Sequence, residues 1–257
     1  MRGAWVIAKK DLRTLFLSPL FYILTGICSL VWTLIYAISV REFVNRSMMQ
    51  MVQSQGQNEG LNLHFNVIVK HISLVNLLMI FAVGALTMRL FTEEKKNRTF
   101  DLLLTAPVTA TEITLGKLIA GLVTALAVVF VSLLYPLSLG FFGEINWGPL
   151  LSSYIGLSLL VGAYVAIGMF ASSLTQSAVL SVVMSIIFSI LLWFIGIAGE
   201  VSDDPWQKAL FDHVNVSNQF FNFVKGNISL AGLVFFVSVI FLFTFLTQRV
   251  IESLRWR

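Results

Sequence analysis

The sequence predicts an all-α protein that crosses a bilayer six times, and three observations predict it. Hydrophobic residues make up 57% of the 257-residue chain and charged residues only 12%, where soluble domains have about 45–50% and about 25%. Six apolar runs lack Asp, Glu, Lys and Arg altogether, and each approaches or exceeds the roughly 20 residues that carry a helix across about 30 Å of hydrocarbon. Lysine and arginine gather on one side of the spans those runs define.

The runs are Pro19–Val40, Ile72–Met88, Leu118–Gly140, Pro149–Ala171, Ala178–Ala198 and Ile228–Thr247. All are longer than the roughly 10-residue alternation of a membrane β-barrel strand, so they are read as helices. With the amino terminus inside, the inner segments hold 12 of the 17 lysines and arginines and the outer segments five. That is the bias of the positive-inside rule, and it places both ends in the cytoplasm. Residues 1–257 then form one transmembrane domain.

Residues 2–17 come first and predict an amphipathic helix on the inner surface. Trp5, Leu12, Leu15 and Phe16 share one face, with Lys9, Lys10 and Arg13 toward the other. Ser18 and Pro19 are a helix-start pair, an N-cap and a proline at the first helical position. The first run is too long for a signal peptide and is read as a retained anchor.

The outer segment Arg41–His71 carries Met48, Met49, Met51, His64 and His71. Thioether and imidazole can bind copper, but methionines at this spacing are read as packing material. All three histidines, His213 included, are placed outside the membrane core. Asn76 is the only amide within a span and needs a hydrogen-bonding partner.

Arg89–Lys117 is the one long inner loop. Glu93, Glu94, Lys95, Lys96 and Arg98 precede Phe100, Leu103 and Leu104, whose spacing shares a face of one short helix over Glu93–Leu104. Pro107 stops it, and Thr109 with Glu112 forms a capping box for the next helix. The segment is either a lever with a docking surface or a solvated connector. Ser158, Gly162 and Ala166 recur every four residues in the fourth span, and Ser177, Ser181, Ser185 and Ser189 do so along the fifth. Such stripes serve as a mildly polar path or subunit interface, or pack helices internally. In the last outer segment Asp203, Asp204 and Pro205 open a short helix with Trp206 and Leu210 on one face.

Several chemistries have no basis in the chain. A single cysteine, Cys28, excludes an internal disulfide and multi-cysteine metal sites. No P-loop, H-E-x-x-H or G-x-S-x-G occurs, and no span holds a carboxylate or a nucleophile with a base. The basic residues flank spans instead of clustering on a solvated face, so no nucleic acid is implied. Without an ionisable group in a span, energy for any transport has to come from elsewhere, a partner being one source.

Leu86–Lys117 reads LTMRLFTEEKKNRTFDLLLTAPVTATEITLGK. With Ala8–Leu24, Ser217–Leu230 and the closing Leu254–Arg257, it resembles type-2 ABC-transporter permeases. The likeness is strongest to the group of the gliding-motility-associated permease and the membrane subunit of nitrous-oxide-reductase maturation. One departure is Asn97-Arg98, where that group often has glycine. The resemblance implies a bacterial inner-membrane subunit, without catalysis or cofactor of its own, that couples ATP hydrolysis on a separate ATPase chain to substrate movement. ATP and Mg would sit on that ATPase. It also implies a second permease copy or homologue, and often an auxiliary membrane protein with a periplasmic domain. The segment near Glu93–Leu104 then becomes a coupling helix. Glu93, Glu94, Arg98 and Asp101 are its candidate polar contacts, and Phe100 and Leu103 its apolar anchor. Asn76 and the fifth-span serines are candidates for a path or interface. The alternative is a complex that transmits force to a periplasmic partner and moves no solute.

Overall fold

The computed structural model describes residues 2–53, 62–140, 145–194, 206 and 214–255, all of them helix or short connection. The helices are α1 (Arg2–Leu17), α2 (Pro19–Gln53), α3 (Val69–Thr87), α4 (Arg89–Lys96), α5 (Phe100–Thr105), α6 (Ala110–Leu139), α7 (Trp147–Leu174), α8 (Ala178–Phe194), α9 (Val216–Val224) and α10 (Leu230–Arg255). A π-helical turn, His64–Ile68, leads into α3. Among the described residues, five helices are long and apolar enough to cross a membrane. The sixth, α8, has 17 described residues, because the end of its predicted span lies outside the described set.

α7 is the central helix. It packs against α3, α6, α8, α9 and α10, and the run from Leu160 to Met169 is wholly buried. Gly168 permits the tightest contact: a β-carbon there would sit 2.1 Å from the Thr87 hydroxyl and 2.9 Å from that of Ser185. The serine stripe of α8 therefore faces inward, with Ser181, Ser185 and Ser189 buried between α3 and α7. Asn76 has its partner: the Tyr164 hydroxyl donates to its Oδ1 at 2.9 Å and accepts from Trp193 Nε1 at 2.5 Å. This chain ties α3, α7 and α8 together where no water is available to do so.

Pro136 lies inside α6 and cannot donate to the Ser132 carbonyl four residues earlier. His71 Nε2 donates to that carbonyl at 3.1 Å, and the Tyr154 hydroxyl donates to it at 3.0 Å. His71 is thus a buried member of the bundle, edge-on to Trp32 and Tyr36. The expected outer segment therefore ends in the first turn of α3, where the carbonyl that Pro136 leaves free gives His71 a buried partner. His64 likewise bonds the Val224 carbonyl at 2.8 Å. His213, Asp203–Pro205 and Leu210 lie outside the described residues.

Two elements differ from expectation. α2 does not stop at Val40 but runs to Gln53. Nothing in Arg41–Gln53 breaks a helix, and Glu42 supports it through Arg46 at 3.8 Å and Lys70 at 3.1 Å. In α1, Ala4, Ile7, Ala8 and Leu15 are buried, Leu12 and Phe16 are partly buried, and Trp5 is exposed. The buried face is set by close approach to α6, where a β-carbon on Gly116 would meet the Ala4 carbonyl at 2.6 Å. An indole has no room in that contact.

Candidate functional site

α3 continues into α4 past Met88 alone, so the charged segment extends the second predicted span without a loop between them. α4 then ends sharply. Thr99 N–H donates to the Glu94 carbonyl at 3.0 Å and Arg98 N–H to that of Lys95 at 3.2 Å. This is a Schellman ending, and Arg98 takes its left-handed position with φ 56°. Glycine suits that position best, and arginine holds it here against its preference. The one helix expected over Glu93–Leu104 is therefore two, α4 and α5, joined by a tight turn. α5 ends before Pro107, and Thr109 starts α6 with the expected capping box: Glu112 N–H donates to Thr109 Oγ1 at 3.2 Å and Thr109 N–H to Glu112 Oε2 at 3.3 Å.

The root of this hairpin is clamped on four sides. Lys117 Nζ, in α6 and 1% exposed, lies 2.8 Å from Glu94 and 3.1 Å from Asp11. Lys10 lies 2.5 Å from Glu94 and 3.6 Å from Asp11. Two cations and two carboxylates make a neutral quartet, the condition under which buried charge is tolerated. Lys117 also donates to the Leu90 carbonyl and stands 4.9 Å over the Phe91 ring. Arg89 pairs with Glu93 at 2.9 Å and donates to the Ser18 hydroxyl, which also caps Leu20 N–H at 3.2 Å. Ser172 of α7 accepts from Phe91 N–H at 3.1 Å and donates to the Met88 carbonyl at 3.0 Å. Lys95 donates to the Ser173 carbonyl near the end of α7, where the helix dipole favours a cation.

Electrostatics at Lys10 follow from this. Burial alone lowers its pKa, but the hydrogen bond and charge of Glu94, with Asp11, outweigh that and raise it above 10.5.

The sequence candidates divide between root and tip. Glu94 is largely enclosed in the quartet, and Phe100 is buried edge-on to Phe91 at 6.1 Å. Leu103 packs partly on the core, and Glu93 is half-exposed. Arg98 and Asp101 are exposed, and with them Leu102 at 70%. Leu102 escaped sequence reasoning because the i, i+3, i+4 pattern singles out Phe100, Leu103 and Leu104 and leaves Leu102 off that face. The quartet also escaped it. Its one sequence signal is Gly116-Lys117, a lone cation at the mouth of an apolar run. Arg98, Phe100 and Asp101 line a cleft of about 740 Å³ with Leu174, Val250 and Leu254. Ser177 N-caps α8, accepting from Leu180 N–H at 3.4 Å, and stands apart from its three buried fellows at a second cleft of about 540 Å³.

The described residues thus form a bundle of apolar helices with a charged hairpin tied to α1, the α1–α2 hinge, α6 and α7. No curated protein matches the chain. The family model described as ABC-2 family transporter protein matches residues 5–225, which takes in α1, the hairpin, the central helix and α9. The chain belongs to the ABC-2 family of transporter proteins, as a multi-pass membrane permease subunit.

Proposed function

We propose that this chain couples ATP hydrolysis by a separate ATPase subunit to movement of a substrate across the bacterial inner membrane. The observation that carries it is the α4–α5 hairpin: a tip of exposed Arg98, Asp101 and Leu102 on a root clamped to α1, the α1–α2 hinge, α6 and α7. A load on the tip reaches four elements through ion pairs and buried hydrogen bonds. Closure of an ATPase dimer below would tilt them as a body. Leu102 is the apolar anchor, with Arg98 and Asp101 as its polar flanks. Glu94 and Phe100 act by fixing the hairpin's angle. ATP and Mg are held by the ATPase, and a second permease copy or homologue completes the path.

A second reading keeps the stroke but delivers it to an outer partner, without solute movement. It is favoured by α2, which continues well past the length a bilayer needs. Affinity purification of the tagged chain from native membranes in mild detergent tests the primary reading. An ATPase chain should co-purify, and Leu102→Asp should release it while the permease stays in the membrane. Absence of any ATPase after mild cross-linking contradicts the reading.

A further inference from the structure

We propose that α8 is a movable wall of the bundle: when the hairpin shifts, α8 stays behind and its serine face parts from α3 and α7. This rests on the coupling stroke proposed above and locates, within the chain, the gap that the stroke opens. Which helices the hairpin holds is the first ground for it. α3 runs into α4 past Met88 alone. Ser18, the cap of α2, accepts from Arg89, and Lys117 of α6 pairs with Glu94. Ser172 of α7 bonds the Phe91 N–H and the Met88 carbonyl. Arg255 of α10 donates to the Val108 carbonyl, just past α5. α8 is the exception. Among the described residues its one side-chain hydrogen bond to another helix is Trp193 to Tyr164, at the end away from the hairpin. A load on the hairpin reaches the other spanning helices and bypasses α8.

The chemistry of the seam is the second ground. Buried hydroxyls elsewhere in the bundle are satisfied within their own helices: Thr87, Thr124 and Thr247 each donate to the carbonyl one turn back at 2.8 Å. Those of Ser181, Ser185 and Ser189 are buried and have no partner among the described residues. A buried donor left unmade is costly, and in hydrocarbon no water relieves it. Nothing polar crosses the seam to hold it shut. It closes on shape alone, against Gly84 of α3 and Gly168 of α7. Opening therefore exchanges packing contacts for hydration of three hydroxyls that lack partners in the closed bundle.

The seam also has a mouth. The cleft of about 540 Å³ separates α4 from the start of α8, with Met88, Thr92 and Lys96 on one side and Ser177 and Val179 on the other. Ser177 stands one helical turn before Ser181, and Met88 follows Thr87, which faces the seam beside Gly168. Water thus already reaches the first member of the serine row. The row then runs Ser181, Ser185, Ser189, one turn apart, and the next position in it is Trp193, the residue tied to Tyr164. That tie is the pivot, and the seam opens from the hairpin end toward it. The wall it exposes carries hydroxyls and no charge.

The test uses the permease–ATPase complex in lipid vesicles, with Cys28→Ala throughout so that no native thiol interferes. A β-carbon on Gly84 would stand 3.6 Å from that of Ser185 and meet nothing closer than 3.5 Å. Gly84→Cys with Ser185→Cys is therefore within the disulfide range of about 3.5–4.5 Å. Oxidation should join α3 to α8 and reduce ATP turnover to that of the ATPase alone, with the ATPase still bound. Reducing the disulfide should restore turnover. Ser185→Cys by itself leaves both helices free, and a water-soluble maleimide should label it several-fold faster during turnover than without nucleotide. Stimulation that survives the disulfide, labelling indifferent to ATP, or failure of the two thiols to join would each overturn this inference and leave the proposed function standing. A permease without the added cysteines that gives no stimulation would remove the proposed function, and this inference with it.

Discussion

At the residue scale, Lys117 decides how the root of the hairpin holds together. It is enclosed, and two carboxylates and a carbonyl converge on it. Lys117→Met leaves Glu94 and Asp11 without their central cation. Removing one partner from a buried ion pair costs about 3–5 kcal/mol, and the thermal midpoint in detergent should fall sharply. Lys10→Ala should cost far less, because its own side chain is mostly exposed and such pairs contribute about 0–1 kcal/mol. The raised pKa of Lys10 gives a sign as well. Its contribution is complete below the ordinary value of 10.5 and is lost as pH rises through the folded-state value. Alkaline titration above that point should loosen α1 in hydrogen exchange, and Lys10→Ala should flatten the dependence. Arg98 works in the opposite direction. A left-handed φ costs a non-glycine residue about 1–2 kcal/mol, so Arg98→Gly should raise the thermal midpoint while weakening ATPase retention. An equal loss of both would mean that the arginine is structural.

At the element scale, how far the sequence could be read depended on what sets each boundary. The spans are set by hydropathy and by local capping chemistry. The Ser18 cap and the Thr109–Glu112 box stand where the residues place them. Thr109→Ala should cost about 1 kcal/mol, the usual loss for an N-cap, read as faster exchange in the first turn of α6. The break between α4 and α5 was not legible, because no glycine marks the left-handed residue and Arg98 takes it against its own preference. Nor was the outer half of α2 legible, since hydropathy reports where hydrocarbon ends and not where a helix ends. The inward turn of Glu94 depends on Lys117 and Lys10, distant in sequence, and only packing brings them together. Asn76 shows the intermediate case. Its need for a partner follows from burial of an amide, but Tyr164 as that partner follows only from the fold.

At the scale of the whole molecule, the hairpin end and the interior of the bundle are held by different means. At the hairpin end, charge ties α1, α4 and α6, and the Ser172 hydrogen bonds tie α4 to α7. The interior is sealed by small residues and one hydrogen-bonded chain, Trp193 to Tyr164 to Asn76. Trp193→Phe should therefore loosen α8 from α3 and α7, seen as increased exchange in α8 with the inner quartet unchanged. The quartet makes the hairpin a rigid handle, and rigidity matters only if something pulls on the handle. ATP turnover by the complex reconstituted in lipid vesicles addresses that most directly, with the triple tip variant Arg98→Glu, Asp101→Lys, Leu102→Asp beside the unaltered chain. Turnover stimulated by the unaltered permease, and reduced in the tip variant to that of the ATPase alone while the bundle keeps its thermal midpoint, is the predicted result. Turnover that is the same for both would contradict coupling through the hairpin.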